Sequence, residues 1–120
     1  MNDERPLAAT GHLILTTAKA ADAAKRLVAV GVREIMIRGS FAVLELRGGT
    51  HIVVREGDGP SDAPFDLMYD DLDATHRRFA EQGFEVTPIE RGRVHRSFYA
   101  VAPEGFRLQV LDSHVGARSV

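Results

Sequence analysis

The sequence has no cysteine, no long apolar run and no excess of one charge. The missing cysteines exclude a disulfide scaffold, a thiolate nucleophile and a cysteine-based zinc site, and they fit a reducing compartment. No apolar run approaches the roughly 18 residues that span a bilayer. The polar N-terminal stretch MNDERPLAAT also differs from a secretory signal. We therefore expect a cytoplasmic protein that has no membrane partner.

The charges are balanced and scattered along the chain. Lys and Arg total 15, Asp and Glu total 17, and the formal net charge is -2. Because the basic residues form no patch or stripe, we expect no nucleic-acid partner. The hydrophobic share of 44% and the charged share of 27% are typical of a soluble globular protein. The length of 120 residues suits one domain with a hydrophobic core, and we assign residues 1–120 to it.

The first half of the sequence predicts the order β-α-β-β-β. GHLILTT predicts a strand over residues 11–16, and the alanine-rich segment after it predicts an amphipathic helix that ends at Gly31. The apolar positions of this helix are Ala20, Ala23, Ala24, Leu27 and Val30. REIMIRG, SFAVLELRG and THIVVRE then predict three strands, the last two joined at Gly48-Gly49.

The second half predicts the same order after a linker at residues 57–63, whose sequence GDGPSDA is rich in turn formers. PFDLMYD predicts a strand, and DLDATHRRFAEQG predicts a helix that Asp70 or Asp71 caps and Gly83 ends. Leu72, Thr75, Phe79 and Gln82 are expected on one side of that helix. FEVTPIE, RVHRSFYAVA and FRLQVLD then predict three strands.

The two halves align at an offset of 52 residues. This offset joins Gly31 to Gly83 and His12 to Pro64. A repeat of this length indicates two units that complete one core by pairing. We therefore predict half-repeats over residues 10–56 and 64–113.

Two stretches of the second half resemble the vicinal oxygen chelate superfamily, which includes glyoxalases, bleomycin-resistance proteins and extradiol dioxygenases. YDDLDATHRRFAEQGFEVT is similar to the strand-helix-strand signature of the family, and APEGFRLQV is similar to its last hairpin. In the first half, GHLILTT and GGTHIVV match more loosely. The resemblance implies an α+β fold in which two βαβββ modules form a cupped mixed sheet. It also implies a ligand or metal on the concave face, and a homodimer.

Strand alternation assigns the candidate binding residues. Successive side chains of a strand point to opposite faces, and each predicted strand has one apolar face and one mixed face. We expect the apolar faces against the helices and the mixed faces around a small-molecule ligand. The predicted ligand-binding residues are His12, Ile14, His51, Met68, His95, Ser97, Tyr99 and Gln109.

The metal site that the resemblance implies is incomplete. Metal-dependent members place one ligand at the head of the first strand and one on the last strand of each module, and His12, His51, Pro64 and Gln109 are carried over to these positions. Pro64 has no ligand atom, and Gln109 offers a neutral oxygen where the family usually has glutamate. Asp66 lies on the same face as Pro64, one step of about 6.6 Å further along. We expect no cofactor; the alternative is a divalent metal on His12, His51 and Gln109.

GRVHRSFY is the most chemically dense stretch, because alternation places His95, Ser97 and Tyr99 on one face. A histidine beside a hydroxyl can act as a general base near neutral pH, which makes His95 the candidate catalytic residue. The sequence offers no third group to orient His95, so we do not expect a serine hydrolase. We expect His76 and His114 on the surface.

The sequence leaves three functions open. The first is a metal-free protein that sequesters an antibiotic or a similar bulky or aromatic compound, and the missing ligand at Pro64 favours it. The second is a metal-dependent lyase, isomerase or dioxygenase acting on vicinal oxygens, which His12, His51 and Gln109 favour. The third, with the least support, is a cofactor-independent enzyme that uses His95.

Overall fold

The two halves of the chain fold into the same order of elements, except that the second half has one additional short strand. The computed structural model describes residues 7–8, 11–58 and 62–113; His114 and part of the predicted linker lie outside them. The first half contains β1 (His12–Thr17), α1 (Ala20–Ala29), β2 (Arg33–Ile37), β3 (Phe41–Glu45) and β4 (His51–Glu56). The second half contains β5 (Asp62–Tyr69), α2 (Leu72–Glu81), β6 (Glu85–Val86), β7 (Glu90–Arg91), β8 (Arg96–Val101) and β9 (Arg107–Asp112).

Each half forms a separate mixed sheet of the same topology. The first sheet has the order β1-β4-β3-β2, and the second has the order β5-β9-β8-β6 with β7 also paired to β8. The first strand of each half runs parallel to the last, and the other pairs are antiparallel. The predicted α+β fold of two βαβββ modules is confirmed. We call the two halves the first and the second module; β1 and β5 lie side by side where the modules meet.

One predicted strand is divided. FEVTPIE forms two short strands, β6 and β7, instead of one. After Val86 the chain leaves the ladder, and the Thr87 N–H donates to the Tyr99 carbonyl at 2.9 Å. Pro88 has no N–H to donate, so regular pairing with β8 resumes only at Glu90.

The helices end where the sequence predicts. Gly31 and Gly83 follow them with φ angles of 113° and 90°, a region that glycine adopts without steric cost. Asp71 is the N-cap of α2, and its carboxylate accepts a hydrogen bond from the Ala74 N–H at 3.0 Å. Gln82 is exposed, contrary to the predicted pattern, because α2 ends at Glu81. Among the described residues, no helix is long and apolar enough to cross a membrane.

The helices cover only one face of the sheets. The molecule measures 49 × 33 × 21 Å, and its smallest dimension accommodates one layer of helices on one layer of sheet. Side chains that face the helices are fully buried, for example Leu15, Val54, Phe98 and Val110. The other face of both sheets carries no helix within the described chain, and we call it the open face.

The modules contact each other through polar groups on the helix side. Arg26 of α1 donates two hydrogen bonds, of 2.7 and 2.9 Å, to the carboxylate of Glu104 in the β8–β9 turn. A third bond of 2.6 Å runs from Arg26 to the Gln82 carbonyl. Tyr69 of β5 donates its hydroxyl proton to the Val30 carbonyl at 2.9 Å. These bonds fix how α1 lies on the second module.

Candidate functional site

Strand register arranges the open face in rows of three side chains, one from each of three adjacent strands. In the first module the rows are His12–His51–Glu45, Ile14–Val53–Val43 and Thr16–Arg55–Phe41. In the second module they are Asp62–Arg107–Val101, Asp66–Gln109–Tyr99 and Met68–Leu111–Ser97. The structure therefore brings seven of the eight predicted binding residues to the open face, and their binding roles stay predictions.

Hydrogen bonds in the hairpins show which rows of the two modules correspond. The Gly49 N–H donates to the Leu46 carbonyl, and the Gly105 N–H donates in the same way to Ala102. Counted from these turns, Arg107 corresponds to His51 and Gln109 corresponds to Val53. From the family resemblance, we assigned His51 and Gln109 to equivalent positions on the last strands of the two modules. This assignment is therefore wrong by two residues. Aligning Gly49 with Gly105, an offset of 56, would have revealed this from the sequence.

In the first module, the row nearest the Gly48-Gly49 turn consists of ionisable side chains, namely His12, His51 and Glu45. The His12 and His51 rings lie 6.1 Å apart, and His51 Nε2 lies 3.4 Å from Glu45 Oε2. Arg33 also approaches the Glu45 carboxylate, at 3.3 Å. The sequence interpretation missed Glu45, although alternation along FAVLE places it on this face.

The donor set does not fit the metal site of the family. His12 and His51 share one row, whereas Gln109 lies in a row that corresponds to Val53, a residue without a ligand atom. The second-module counterpart of His51 is Arg107, a permanent cation that donates hydrogen bonds and cannot ligate a metal. Within the described residues, no group of three or more His, Asp or Glu side chains is arranged to hold a metal ion.

His95 has an orienting partner that the sequence interpretation missed. His95 precedes β8, and its Nδ1 donates to Asp112 Oδ1 at 2.9 Å, an oxygen that also accepts the Arg96 N–H. The hydrogen bond from His95 holds the pKa of the Asp112 carboxyl below its ordinary value. Asp112 ends the strand antiparallel to β8, so only the pairing of β8 and β9 brings the two residues together. The catalytic role of His95 stays a prediction.

His76 is not the solvated surface residue that we expected. Its Nε2 donates to the Thr87 carbonyl at 2.9 Å, and its ring meets Phe98 edge-on at 4.8 Å. The Thr87 carbonyl lies in the segment between β6 and β7, so helical periodicity alone does not reveal this contact. His76 therefore joins α2 to the segment after β6.

The second module carries a crevice of about 270 Å³ that reaches the open face. Arg107 crosses it, with its guanidinium 4.5 Å from the Tyr99 ring centroid. Two hydrogen bonds, of 2.8 and 3.3 Å, join Arg107 to Asp62. The residues that line the crevice are Asp62, Ala63, Phe65, Asp66, Tyr99, Arg107 and Gln109.

A second crevice, of about 320 Å³, lies on the helix side. Its lining residues are Asp22, Lys25, Arg26, Ala29, Gln82 and Glu104. Arg26 and Glu104 are already bonded to each other there, with side chains only 27% and 5% exposed. These two side chains are therefore not free to bind a ligand in this crevice.

Comparisons with known proteins identify the fold. No family model matches the sequence, and no curated protein sequence matches it. A structure described as that of a possible glyoxalase from Bacillus cereus is 26% identical, with a TM-score of 0.68 over 86% of this chain and 97% of that one. TioX from Micromonospora sp. ML1 is 19% identical, with a TM-score of 0.71 over 90% and 100% of the two chains.

A third similar structure contains a ligand. It is the bleomycin-binding protein of bleomycin-producing Streptomyces verticillus, complexed with copper(II)-bleomycin. It is 17% identical, with a TM-score of 0.67 over 91% of this chain and 100% of that one. This chain has the glyoxalase/bleomycin-resistance/dioxygenase fold, and the resemblance of its sequence to the vicinal oxygen chelate superfamily is confirmed at that level. The fold alone does not separate binding from catalysis, because it carries both.

Proposed function

We propose that this protein binds a bulky or aromatic small molecule on its open face without a metal, and thereby sequesters it. The observation that carries the proposal is the apolar surface of that face. Ile14, Phe41, Met68, Tyr99 and Val101 are large side chains that stay 37–44% exposed there. Exposed apolar side chains gathered on one face, with polar groups among them, are typical of a binding surface.

Polar groups lie between these apolar side chains. His12, His51, Ser97 and Gln109 can each form a hydrogen bond to a ligand, and Gln109 lies between Tyr99 and Asp66 in one row. A few polar groups in an apolar surface fix the orientation of a ligand. The bleomycin-binding neighbour supports an antibiotic as the kind of compound. The proposal includes a homodimer in the cytoplasm, in which the second copy covers part of the open face.

The alternative is a metal-dependent lyase, isomerase or dioxygenase. The adjacent rings of His12 and His51 favour it, because two imidazoles are common ligands of transition metals. The donor set weakens it, since Gln109 offers only a neutral oxygen and Pro64 has no ligand atom. Elemental analysis of the untreated protein separates the two functions. A stoichiometric metal that is lost in His12→Ala would overturn the binding proposal.

Backbone amide NMR of chelator-treated protein tests the proposed surface, with the neutral planar compound 2-naphthamide as the probe. We expect saturable shifts at Ile14, Val53 and Tyr99, and weaker binding by Tyr99→Ala. Val94→Ala is the matched control, because Val94 is an apolar residue that is 79% exposed but lies outside the strands. Shifts confined to the helix side, or equal losses in the two variants, would contradict the proposal.

A further inference from the structure

Three charged side chains, those of Asp62, Asp66 and Arg107, line the crevice of the second module, and two of them neutralise each other. Arg107 and Asp62 form a bidentate ion pair, and the hydrogen bonds that Arg107 donates to Asp62 raise the pKa of Arg107. Asp66 forms no hydrogen bond or ion pair with any described residue. The crevice therefore has one unbalanced negative charge, at Asp66.

Asp66 lies in a row with two other groups that can contact a cation. Neighbouring strands are about 4.8 Å apart, so the Cα atoms of Asp66 and Tyr99 lie about 9.6 Å apart with Gln109 between them. A planar group lying over Gln109 would span this distance. It would meet a carboxylate at one end, an amide oxygen in the middle and a phenol at the other end.

Tyr99 already holds a planar cation. The guanidinium of Arg107 lies 4.5 Å from the ring centroid, within the range of a cation–π contact. Tyr99 is 37% exposed, so part of it stays accessible from the open face. The site thus combines an electron-rich ring with a carboxylate, the two groups that favour amidinium and guanidinium ions.

The corresponding row of the first module has the opposite character. Ile14, Val53 and Val43 replace Asp66, Gln109 and Tyr99 there, so this row offers no hydrogen-bonding side chain. Because β1 and β5 lie side by side, both rows belong to one open face. A ligand that satisfies both rows must be apolar at one end and positively charged at the other.

We propose that the open face selects amphipathic ligands with a planar cationic group, and that Asp66 is the residue that determines this selectivity. The cation is an amidinium or a guanidinium, and it lies across the Asp66–Gln109–Tyr99 row. The apolar remainder lies on the Ile14–Val53–Val43 row. This inference rests on the proposed function and names the class of ligand.

Three probes of the same shape and different charge test the selectivity: 2-naphthamidine, 2-naphthamide and 2-naphthoate. We expect the amidine to bind on the order of fivefold more tightly than the amide, because a partly exposed ion pair contributes about that factor. The naphthoate should bind more weakly than either. Raising the salt from about 50 mM to about 500 mM should weaken the amidine and leave the amide nearly unchanged. NMR titration gives both the affinity and the contacted residues.

Asp66→Asn should lower the affinity for the amidine to that for the amide and leave the amide itself unaffected. Asp58→Asn is the matched control, because it makes the same change at an exposed residue outside the crevice. Equal affinities of the amidine and the amide for the wild type would overturn the proposed selectivity, and so would equal effects of the two variants. Neither result would contradict the proposed binding surface. If no probe shifts the amides of the open face, the proposed function fails with it.

Discussion

The two modules share one topology but have different cores. Four buried phenylalanines fill the second module, namely Phe79, Phe84, Phe98 and Phe106. The described core of the first module contains only aliphatic side chains, among them three alanines of α1. The same strand order therefore forms around aromatic or aliphatic packing. Polar and apolar alternation specifies the strands and the glycines end the helices, whereas the size of the buried core residues differs between the modules.

The open faces of the modules differ as well. The middle row is aliphatic in the first module and polar in the second. A duplicated fold thus has two surfaces of different chemistry on one continuous face. We infer that the middle row of the first module supplies apolar contact and that the middle row of the second module supplies selectivity.

The largest expected effect tests the difference between the cores. Phe79 is fully buried and meets three aromatic rings, those of Tyr69, Phe84 and Phe98, at centroid distances of 4.7–5.9 Å. Phe79→Ala should lower the free energy of unfolding by about 3–5 kcal/mol, because this rigid aromatic cluster cannot collapse into the cavity. Urea denaturation measures the loss.

The matched variant in the first module is Leu27→Ala, which truncates a fully buried side chain of α1. We expect a cost of about 2–3 kcal/mol, since aliphatic neighbours can move toward the smaller cavity. If Leu27→Ala costs as much as Phe79→Ala or more, the two cores do not differ in the way described.

The contact between the modules gives the next effect. Arg26→Gln should cost about 1–3 kcal/mol, because it leaves the nearly buried carboxylate of Glu104 without its partner. Arg47→Gln is the control, since Arg47 and Asp70 form an ion pair whose side chains are 69% and 71% exposed. That exposed pair should contribute much less, because solvent screens it. Equal costs in urea denaturation would show that the Arg26–Glu104 contact does not join the modules.

Tyr69, which also joins the two modules, should make the stability of the protein fall at high pH. Burial raises the pKa of the Tyr69 phenol above its ordinary value of 10.0, because the ionised form cannot be solvated in the folded protein. Above about pH 10 the unfolded chain loses this proton and the folded chain keeps it, so stability falls as the pH rises. Near neutral pH, Tyr69→Phe should cost about 1 kcal/mol through the lost bond to Val30.

The lost hydrogen bond makes Tyr69→Phe less stable than the wild type near neutral pH, whereas ionisation of the phenol in the unfolded chain lowers the stability of the wild type at high pH. The stability advantage of the wild type over Tyr69→Phe should therefore shrink between about pH 9 and about pH 11. Urea denaturation across this range measures the difference. A constant difference would mean that the phenol titrates alike in the folded and unfolded states.

The smallest expected effect on stability concerns the N-caps of the two helices. Asp71→Ala should destabilise the protein by about 1 kcal/mol, because Asp71 caps α2. Lys19 caps α1 without a side-chain hydrogen bond, and Lys19→Asp should stabilise the protein by about 0.5 kcal/mol. Thermal or urea unfolding of both variants tests the contrast, which an unchanged or lower stability of Lys19→Asp would contradict.

Local rules predicted most of the fold. Alternation correctly assigned Phe98 and Ala100 to the core and Tyr99 to the opposite face, since the period of a strand is geometric. Gly31 and Gly83 marked the ends of both helices because few other residues adopt positive φ angles. These features need only the neighbouring residues along the chain.

The site was harder to predict because it depends on register. A bulge in β5 lies between Asp62 and Asp66, and it places Asp62 rather than Pro64 opposite Arg107. The bond between His95 and Asp112 and the ion pair of Arg107 with Asp62 also join residues far apart in the sequence. No local pattern contains these pairings, so the sequence identified the open face but not the crevice within it.

An NMR titration of chelator-treated wild-type protein with 2-naphthamidine tests the central claim most directly, namely that the open face binds planar ligands without a metal. The claim predicts saturable shifts at Asp66, Gln109 and Tyr99 together with Ile14 and Val53, and unchanged signals along α1. Binding that requires added metal, or shifts confined to the helix-side crevice around Lys25 and Gln82, would contradict it.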